Sequence, residues 1–239
     1  MATRRVIPRV LLKISGEALA PAGEKGLGHD QLAFVTREVT EALGAGVELA
    51  MVVGGGNFLR GRDVSGESVH RVTADHMGML ATIINGLALQ GSLETAGVET
   101  RVLSAIQVAD VAEPFIVRRA TRHLEKGRVV IFVGGTGNPF FSTDSAAALR
   151  ANEIGAELLL KGTNVRGVYS ADPRADSNAE FFETITFDEV LSRKLAVMDS
   201  AAFALCRENN LPIRVFHMNE PGNIASALKG DQIGTLVSN

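Results

Sequence analysis

The sequence predicts an α/β protein, a three-layer αβα sandwich around a mostly parallel central sheet, and three features lead there. Short apolar runs alternate with longer amphipathic ones along almost the whole chain, the alternation that builds strand–helix–strand units. Some runs are apolar nearly throughout, as in ELAMVV at Glu48–Val53, which suits strands covered by helices on both faces. Glycine is abundant, 25 of 239 residues, and it gathers directly after such runs, where a parallel sheet hands its chain to the next helix.

Each element follows from this pattern. Arg9–Ile14 reads as a strand, followed by a glycine-containing loop and an amphipathic helix over Gln31–Ala45. Glu48–Val53 is a strand that stops at Gly54-Gly55-Gly56. A long helix is expected over Thr73–Ala96, because Met77, Leu80, Ala81, Ile84, Leu87 and Ala88 recur at three- and four-residue steps. Gly86 and Gly91 each lower its intrinsic propensity by about 1 kcal/mol, so packing must hold it. A strand at Thr100–Leu103, a helix over Pro114–Lys126 and a strand at Arg128–Val133 come next, the last ending at Gly134-Gly135-Thr136-Gly137. Asp144–Ile154 reads as a helix and Glu157–Leu160 as a strand meeting Lys161-Gly162-Thr163. A hairpin is expected around Val168–Tyr169, helices over Phe187–Lys194 and Asp199–Asn210, and strands at Ile213–His217 and Gly234–Val237. Ala171–Glu180 is polar and turn-rich and reads as a surface loop. Right-handed crossovers then bring the glycine turns together at the carboxyl edge of the sheet, where open α/β folds bind ligands.

Composition removes several classes of function. Lys and Arg number 24 against 27 Asp and Glu, a net charge of −3, which disfavours nucleic acid as a partner. A single cysteine, Cys206, rules out an internal disulfide and a cysteine-based zinc site, so a reducing cytoplasm is expected. Arg4-Arg5 is followed by Pro8, Arg9 and Lys13, which interrupt the apolar core of an export signal. No stretch approaches the ~18 consecutive apolar residues of a membrane span. The P-loop signature is absent, Gly54–Leu59 lacks the last glycine of a dinucleotide fingerprint, and the five histidines show no metal-ligand spacing.

Glycine after a strand lets backbone N–H groups approach a phosphate. Lys13 stands before the first such turn, Arg60 after the second and Lys161 before the fourth, while Thr136, Asn138, Ser142 and Thr143 populate the third. A lysine inside an apolar strand is rarely buried without a partner, which favours a phosphate ligand at Lys13. Asp75, Asp144 and Asp199 each stand near a helix start, where the dipole favours a carboxylate, and taken alone that local role accounts for them. Tyr169 taken alone reads as hairpin packing and Cys206 as a small buried side chain.

Seven segments occur in order from Val10 to Leu236: LLKISGEAL at Leu11–Leu19, GGGNFLRG at Gly54–Gly61, ADHMGMLATIINGLA at Ala74–Ala88, GTGNPFFSTDSAA at Gly135–Ala147, GVYSADP at Gly167–Pro173, VMDSAAF at Val197–Phe203 and LPIRVFHMN at Leu211–Asn219. With them the chain resembles the bacterial uridylate (UMP) kinases of the amino-acid kinase superfamily. DHMGMLAT and TGNPFFSTDSAA separate that group from sister kinases acting on small acids.

The resemblance implies an amino-acid kinase-like fold and transfer of the γ-phosphoryl group of Mg-ATP to UMP in pyrimidine nucleotide biosynthesis. It implies one domain over 1–239, with UMP held mainly by the part up to about residue 155 and ATP by the remainder. Lys13, Ile14, Ser15, Gly16, Gly56 and Arg60 are then expected around the ATP phosphates, and Thr163, Asn164, Tyr169 and Asp172 around its adenine and ribose. Gly55, Asp75 (on the ribose) and Thr136, Gly137, Asn138, Pro139, Phe140, Phe141, Ser142 and Thr143 are expected around UMP. Lys13, Arg60 and Lys161 would neutralise the transferred group, Asp199 would orient the lysines, and Asp144 would help place Mg²⁺ through water, with no direct protein ligand to the metal. A homohexamer, activation by GTP and inhibition by UTP are family traits. Here Gln90-Gly91 lacks an Arg-Asp pair found in some GTP-responsive relatives, although Arg101 and Arg128 remain, and the Ala20–Gly28 stretch is longer than in many. The alternatives are another enzyme of the superfamily acting on a carboxylate or carbamate, and a non-catalytic nucleotide-binding homologue. Arg60, Asp75 and TGNPFF argue against the first, and Lys13, Lys161 and Asp199 together against the second.

Overall fold

Residues 9–44, 46–59, 65–66 and 68–239 are described by the computed structural model. Arg9–Ile14 forms β1, a 3-10 turn covers Gly16–Leu19, and α1 (His29–Leu43), β2 (Glu48–Val53) and α2 (Arg71–Thr95) follow. Then come β3 (Thr100–Ser104), β4 (Glu113–Pro114), α3 (Val117–Glu125), β5 (Val129–Val133), α4 (Thr143–Glu153) and β6 (Leu158–Thr163). The chain continues through β7 (Val168–Tyr169), β8 (Phe181–Phe182), β9 (Thr184–Thr186), α5 (Phe187–Ser192), α6 (Ser200–Glu208), β10 (Ile213–His217), α7 (Asn223–Leu228) and β11 (Thr235–Ser238).

Among the described residues nine strands form one sheet in the order β4-β3-β5-β2-β1-β6-β10-β11-β9, and β7 pairs with β8 as a separate antiparallel ribbon. Only β10 and β11 run antiparallel within the sheet. Successive side chains of a strand face opposite sides, so each central strand feeds two cores. Val10, Leu12 and Ile14 of β1 meet α1, α2 and α7 on one face, while Leu11 meets α3, α4, α5 and α6 on the other. Lys13 shares the face of Leu11, and Lys161 of β6 shares that of Leu159, directly alongside Lys13 in the register. The two lysines therefore rise from adjacent strands toward the same helical layer.

Two expectations are corrected. Lys161, Gly162 and Thr163 belong to β6 rather than to a turn, because β1 and β10 flank the strand as far as Lys161 and β10 alone as far as Thr163; Gly162 is there because a Cβ would stand 2.8 Å from the Met218 sulfur. Pro114 does not start a helix. It pairs in β4 at the sheet edge, where a residue without N–H is tolerated, and α3 starts at Val117. The segment after the Ala171–Glu180 loop adds β9, which closes the other edge against β11. Gly86, costly to a helix in isolation, is required by tertiary packing, since a Cβ there would collide with Val133 of β5.

Candidate active site

The glycine turns after β1 and β2 are stacked on each other. A Cβ on Gly16 would lie 2.7 Å from both Gly54 O and Gly56 N and 2.6 Å from Asn57 Oδ1; Gly54 N–H donates to Ile14 O at 3.1 Å. Gly55 lies against the α2 backbone, where a Cβ would approach Gly78 O to 2.8 Å. Two buried amides fasten this floor. Asn57 Nδ2 donates to Asn85 Oδ1 (2.9 Å) and Gly26 O (2.7 Å), and Asn85 Nδ2 donates to Asn57 Oδ1 (2.7 Å) and Gly54 O (2.6 Å). All amide hydrogens of the pair are used, so the arrangement is rigid and carries no unsatisfied donor. The third turn is tied to α2 by Gly134 N–H donating to Thr82 Oγ1 at 2.8 Å.

Above these turns lies a cavity of about 540 Å³. Of the two neighbouring lysines Lys13 lines it, and Lys161 is not among the lining residues but reaches it through Asp144, which is. Lys13 Nζ stands 2.9 Å from Asp144 Oδ1 and Lys161 Nζ 2.7 Å from Asp144 Oδ2, so one carboxylate separates two ammonium groups. Lys161 also donates to Val197 O. Burial pushes the Asp144 carboxyl upward more than any other single influence, yet Lys13 and Lys161 together hold it below the ordinary carboxylate range. Burial lowers the Lys161 pKa, with Lys13 adding to that effect and Asp144 opposing it. Asp144 sits in the first turn of α4, whose cap is Ser142, accepting from Asp144 N–H (3.0 Å) and Ser145 N–H (3.2 Å). The positive end of that helix therefore also faces the cavity.

Asp199 is the N-cap of α6, accepting from Ala202 N–H at 2.9 Å. It also accepts from Ser142 Oγ and, at 3.0 and 3.1 Å, from Ser145 Oγ. The carboxylate in contact with both lysines is Asp144, while Asp199, the residue expected to orient them, reaches Lys161 through its charge. Its direct work is to clamp the start of α4 onto the start of α6.

On the opposite side Asp75 accepts from Phe140 N–H at 2.8 Å and from Arg71 Nε at 2.9 Å on each oxygen. Phe140 has φ 71°, a left-handed conformation that a bulky residue adopts only under outside constraint. Phe140 is 67% exposed and Phe141 55%, and both line the cavity. Thr136 Oγ1 and the backbone of Asn138 are hydrogen-bonded to each other at 3.2 Å in both directions, shaping the intervening turn.

The cavity thus brings together Lys13, Ser15, Gly16, Gly55, Gly56 and Asp75. Thr136, Asn138, Phe140, Phe141, Ser142, Thr143, Asp144 and Asp199 also line it. Gly137 and Pro139 belong to the same turn but are not among the lining residues. Ile14 faces the core, so only its backbone is near the site. Thr163, Asn164, Tyr169 and Asp172 are not brought into this cavity. Thr163 ends β6 and Tyr169 ends β7, where it packs on Phe181; Asn164 Oδ1 accepts from Asn219 at 3.0 Å, and Arg174 bridges Asn164 O and Asp172. Arg60 lies outside the described residues. Sequence reasoning missed Arg71, Glu17, Ser145 and the Asn57–Asn85 pair. The four-residue spacing of Arg71 and Asp75 was a usable signal; the amide pair left none, because its members meet only in the folded chain.

The family model described as "Amino acid kinase family" matches residues 8–217. The chain is 56% identical over 229 residues to a uridylate kinase of Xanthomonas campestris, covering 96% of this chain and 95% of that one. Among solved structures, the UMP kinase of Bacillus anthracis superposes with a TM-score of 0.94 at 38% identity, covering 98% and 97% of the two chains. The UMP kinase of Ureaplasma parvum does so at 0.91 and 39%, covering 97% and 98%. The family match over most of the chain and this degree of likeness lead to one conclusion: the chain belongs to the amino acid kinase family, in its uridylate kinase branch.

Proposed function

We propose that this chain transfers the γ-phosphoryl group of ATP to UMP, giving UDP and ADP. The observation that carries the reading is a shared carboxylate, Asp144, that holds Lys13 and Lys161 and that lines, with Lys13 and two stacked glycine turns, a cavity with room for phosphates to meet. UMP has a second phosphate pKa of about 6 and is mostly dianionic at neutral pH. Its phosphate oxygen attacks the γ-phosphorus while the bond to the bridging oxygen of ADP breaks, and no general base is needed. What remains is to hold several negative charges in line, a task for cations, backbone N–H groups and a helix N-terminus.

In this reading Lys13, Ser15, Gly16 and Gly56 hold the ATP phosphates with Arg60, and Lys161 offsets charge that develops in transfer. Asp75 accepts from the UMP ribose, Gly55 and the Thr136–Thr143 turn enclose uracil and phosphate, and Phe140 and Phe141 offer the base an apolar surface. The exposed rings and the left-handed turn support that assignment. Thr163, Asn164, Tyr169 and Asp172 take adenine and ribose, so that UMP falls mainly to the part up to about residue 155 and ATP to the rest. Arg174, which bridges Asn164 and Asp172, supports grouping those two residues.

Mg²⁺ fits the site as a companion of the phosphates. No group of three or more His, Cys, Asp or Glu is disposed to hold a metal among the described residues. Asp144 already holds an ammonium group on each oxygen, at 2.9 and 2.7 Å. A single carboxylate so engaged suits an ion that keeps its waters rather than one bound directly by protein oxygens. When bound, the ion supplies charge neutralisation on the nucleotide phosphates, and Asp144 would hold it through water.

A homohexamer activated by GTP and inhibited by UTP completes the proposal. Met77, Leu80 and Ile84, exposed along one side of α2, support contact between copies. Among the described residues no helix is long and apolar enough to cross a membrane, in keeping with the cytoplasmic placement proposed from the single cysteine. The test is ADP release with UMP, CMP, dCMP, glutamate and aspartate as acceptors. Turnover with UMP and none with the two acids is the expected result; turnover with either acid, or none with UMP, overturns the reading.

A further inference from the structure

Arg71 is at odds with its own helix. It is the first residue of the 25-residue α2, where the dipole disfavours a cation. Its gain is an i,i+4 ion pair with Asp75 one turn on, and a residue of a different segment, Phe140, is tied to that pair. Arg71 Nε is shared between both oxygens of Asp75 at 2.9 Å, and its Cζ lies 5.5 Å from the centre of the Phe140 ring. The same carboxylate holds Phe140 N–H at 2.8 Å, in the left-handed conformation described above. Arg71, Asp75 and Phe140 therefore form one closed clamp on the wall of the cavity.

The charge balance gives the clamp a purpose. Glu17, Asp75, Asp144 and Asp199 all line a cavity proposed to receive two polyanions. Lys13 and Lys161 are committed to Asp144, and Arg71 is the cation in contact with Asp75. Without it, Asp75 would repel the incoming phosphate and swing away from Phe140.

We propose that Arg71 is a positioning residue for the monophosphate acceptor. It neutralises Asp75 and fixes its rotamer, so that the free lone pairs meet the ribose hydroxyls, and it keeps the Phe140 turn in place. The inference rests on the UMP reading of this cavity and adds a residue that acts through Asp75 rather than on the phosphates.

The test is a double-mutant cycle of Arg71→Met and Asp75→Asn, with Arg71→Lys as the conservative variant. Each is assayed with UMP and with 2′,3′-dideoxy-UMP, which lacks both hydroxyls, and KM for ATP is measured alongside. Arg71→Met is expected to raise KM for UMP by about tenfold or more, with KM for ATP within about twofold of the parent. In the Asp75→Asn background the same change should shift KM for UMP by less than about threefold, because residues that act as a unit are not additive. With the dideoxy acceptor Arg71→Met should have little effect, and Arg71→Lys should recover part of the UMP affinity through its charge. Multiplicative effects, equal losses for both acceptors, or a fall in kcat with both KM values unchanged would overturn the role given to Arg71. Thermal melting of each variant identifies a loss caused by unfolding, which would lower kcat for both acceptors without changing KM and also count against the proposal. If the parent enzyme itself fails to phosphorylate UMP, the reading of the cavity falls instead, and the two failures are thereby distinguished.

Discussion

Replacing Asp144 with Asn keeps the side-chain shape and removes the charge between two ammonium groups. Each ion pair, at 2.9 and 2.7 Å, contributes on the order of 6 kcal/mol of attraction at an effective dielectric constant of about 20. The three side chains are only 12–15% exposed, so this attraction offsets a real desolvation cost. Removing one partner of such a group costs about 3–5 kcal/mol, because the remaining charges stay buried. Two outlets exist. The fold can lose that stability, or Lys161 can release its proton, since burial and Lys13 already lower its pKa and Asp144 is the largest influence opposing them. The Asp144→Asn protein should therefore show a lower unfolding midpoint in urea at neutral pH and an alkaline limb of kcat displaced toward neutrality. The assay is ADP release at saturating UMP and ATP across the pH range, beside equilibrium unfolding. The sign on the acid side also follows. The Asp144 pKa is lowered by folding, so its stabilisation is present above the ordinary carboxylate range and disappears as pH falls through that range to the folded value; the Asn variant should lack this part of the acid loss. An unchanged urea midpoint together with an unchanged alkaline limb would refute the argument that Asp144 holds the lysines charged.

Other outcomes test separate links. Gly86→Ala should destabilise despite the better helix former, by about 1–3 kcal/mol, because its Cβ meets Val133; a higher melting temperature would show that α2 can shift freely. Glu38, 2% exposed on α1, accepts from Gly222 N–H at 2.8 and 3.0 Å and so holds the start of α7. Glu38→Ala should cost about 1–3 kcal/mol in urea unfolding and leave kcat/KM unchanged, whereas a kinetic defect in a folded variant would tie that helix to the site. Arg60→Ala should lower kcat/KM by more than tenfold, over ~1.4 kcal/mol, and near-normal kinetics would remove Arg60 from the phosphate-binding set.

Much of the fold was readable locally, and its errors have local causes. Runs such as ELAMVV and VVIFV announce buried strands because an unbroken apolar segment has no polar face to give to water. The end of β6 was misjudged because Lys161 and Gly162 look like a turn; the strands beside them hold them extended. Pro114 carries the signal of a helix start, and an edge position next to β3 overrode it. Gly86 looked like a weakness, and only the proximity of Val133 turns it into a requirement. At the site, motif residues near Lys13, Gly55, Thr136 and Ser142 were found from spacing and resemblance. Asn57 and Asn85 were not, since a buried amide pair leaves no periodic trace.

The amino-acid sequence alone determined the parallel α/β class, the glycine turns and the lysines beside them, because hydrophobic period and backbone freedom are properties of short segments. Tertiary structure decided which charges meet. Lys13 and Lys161 are 148 positions apart in number and become neighbours only through the pairing of β1 with β6. Asp144 rather than Asp199 stands between them because α4 presents its first turn over that pair of strands, while α6 spends Asp199 on its own N-terminus and on Ser142 and Ser145. Strand order and register depend on the packing of the whole sheet, and no short segment encodes them.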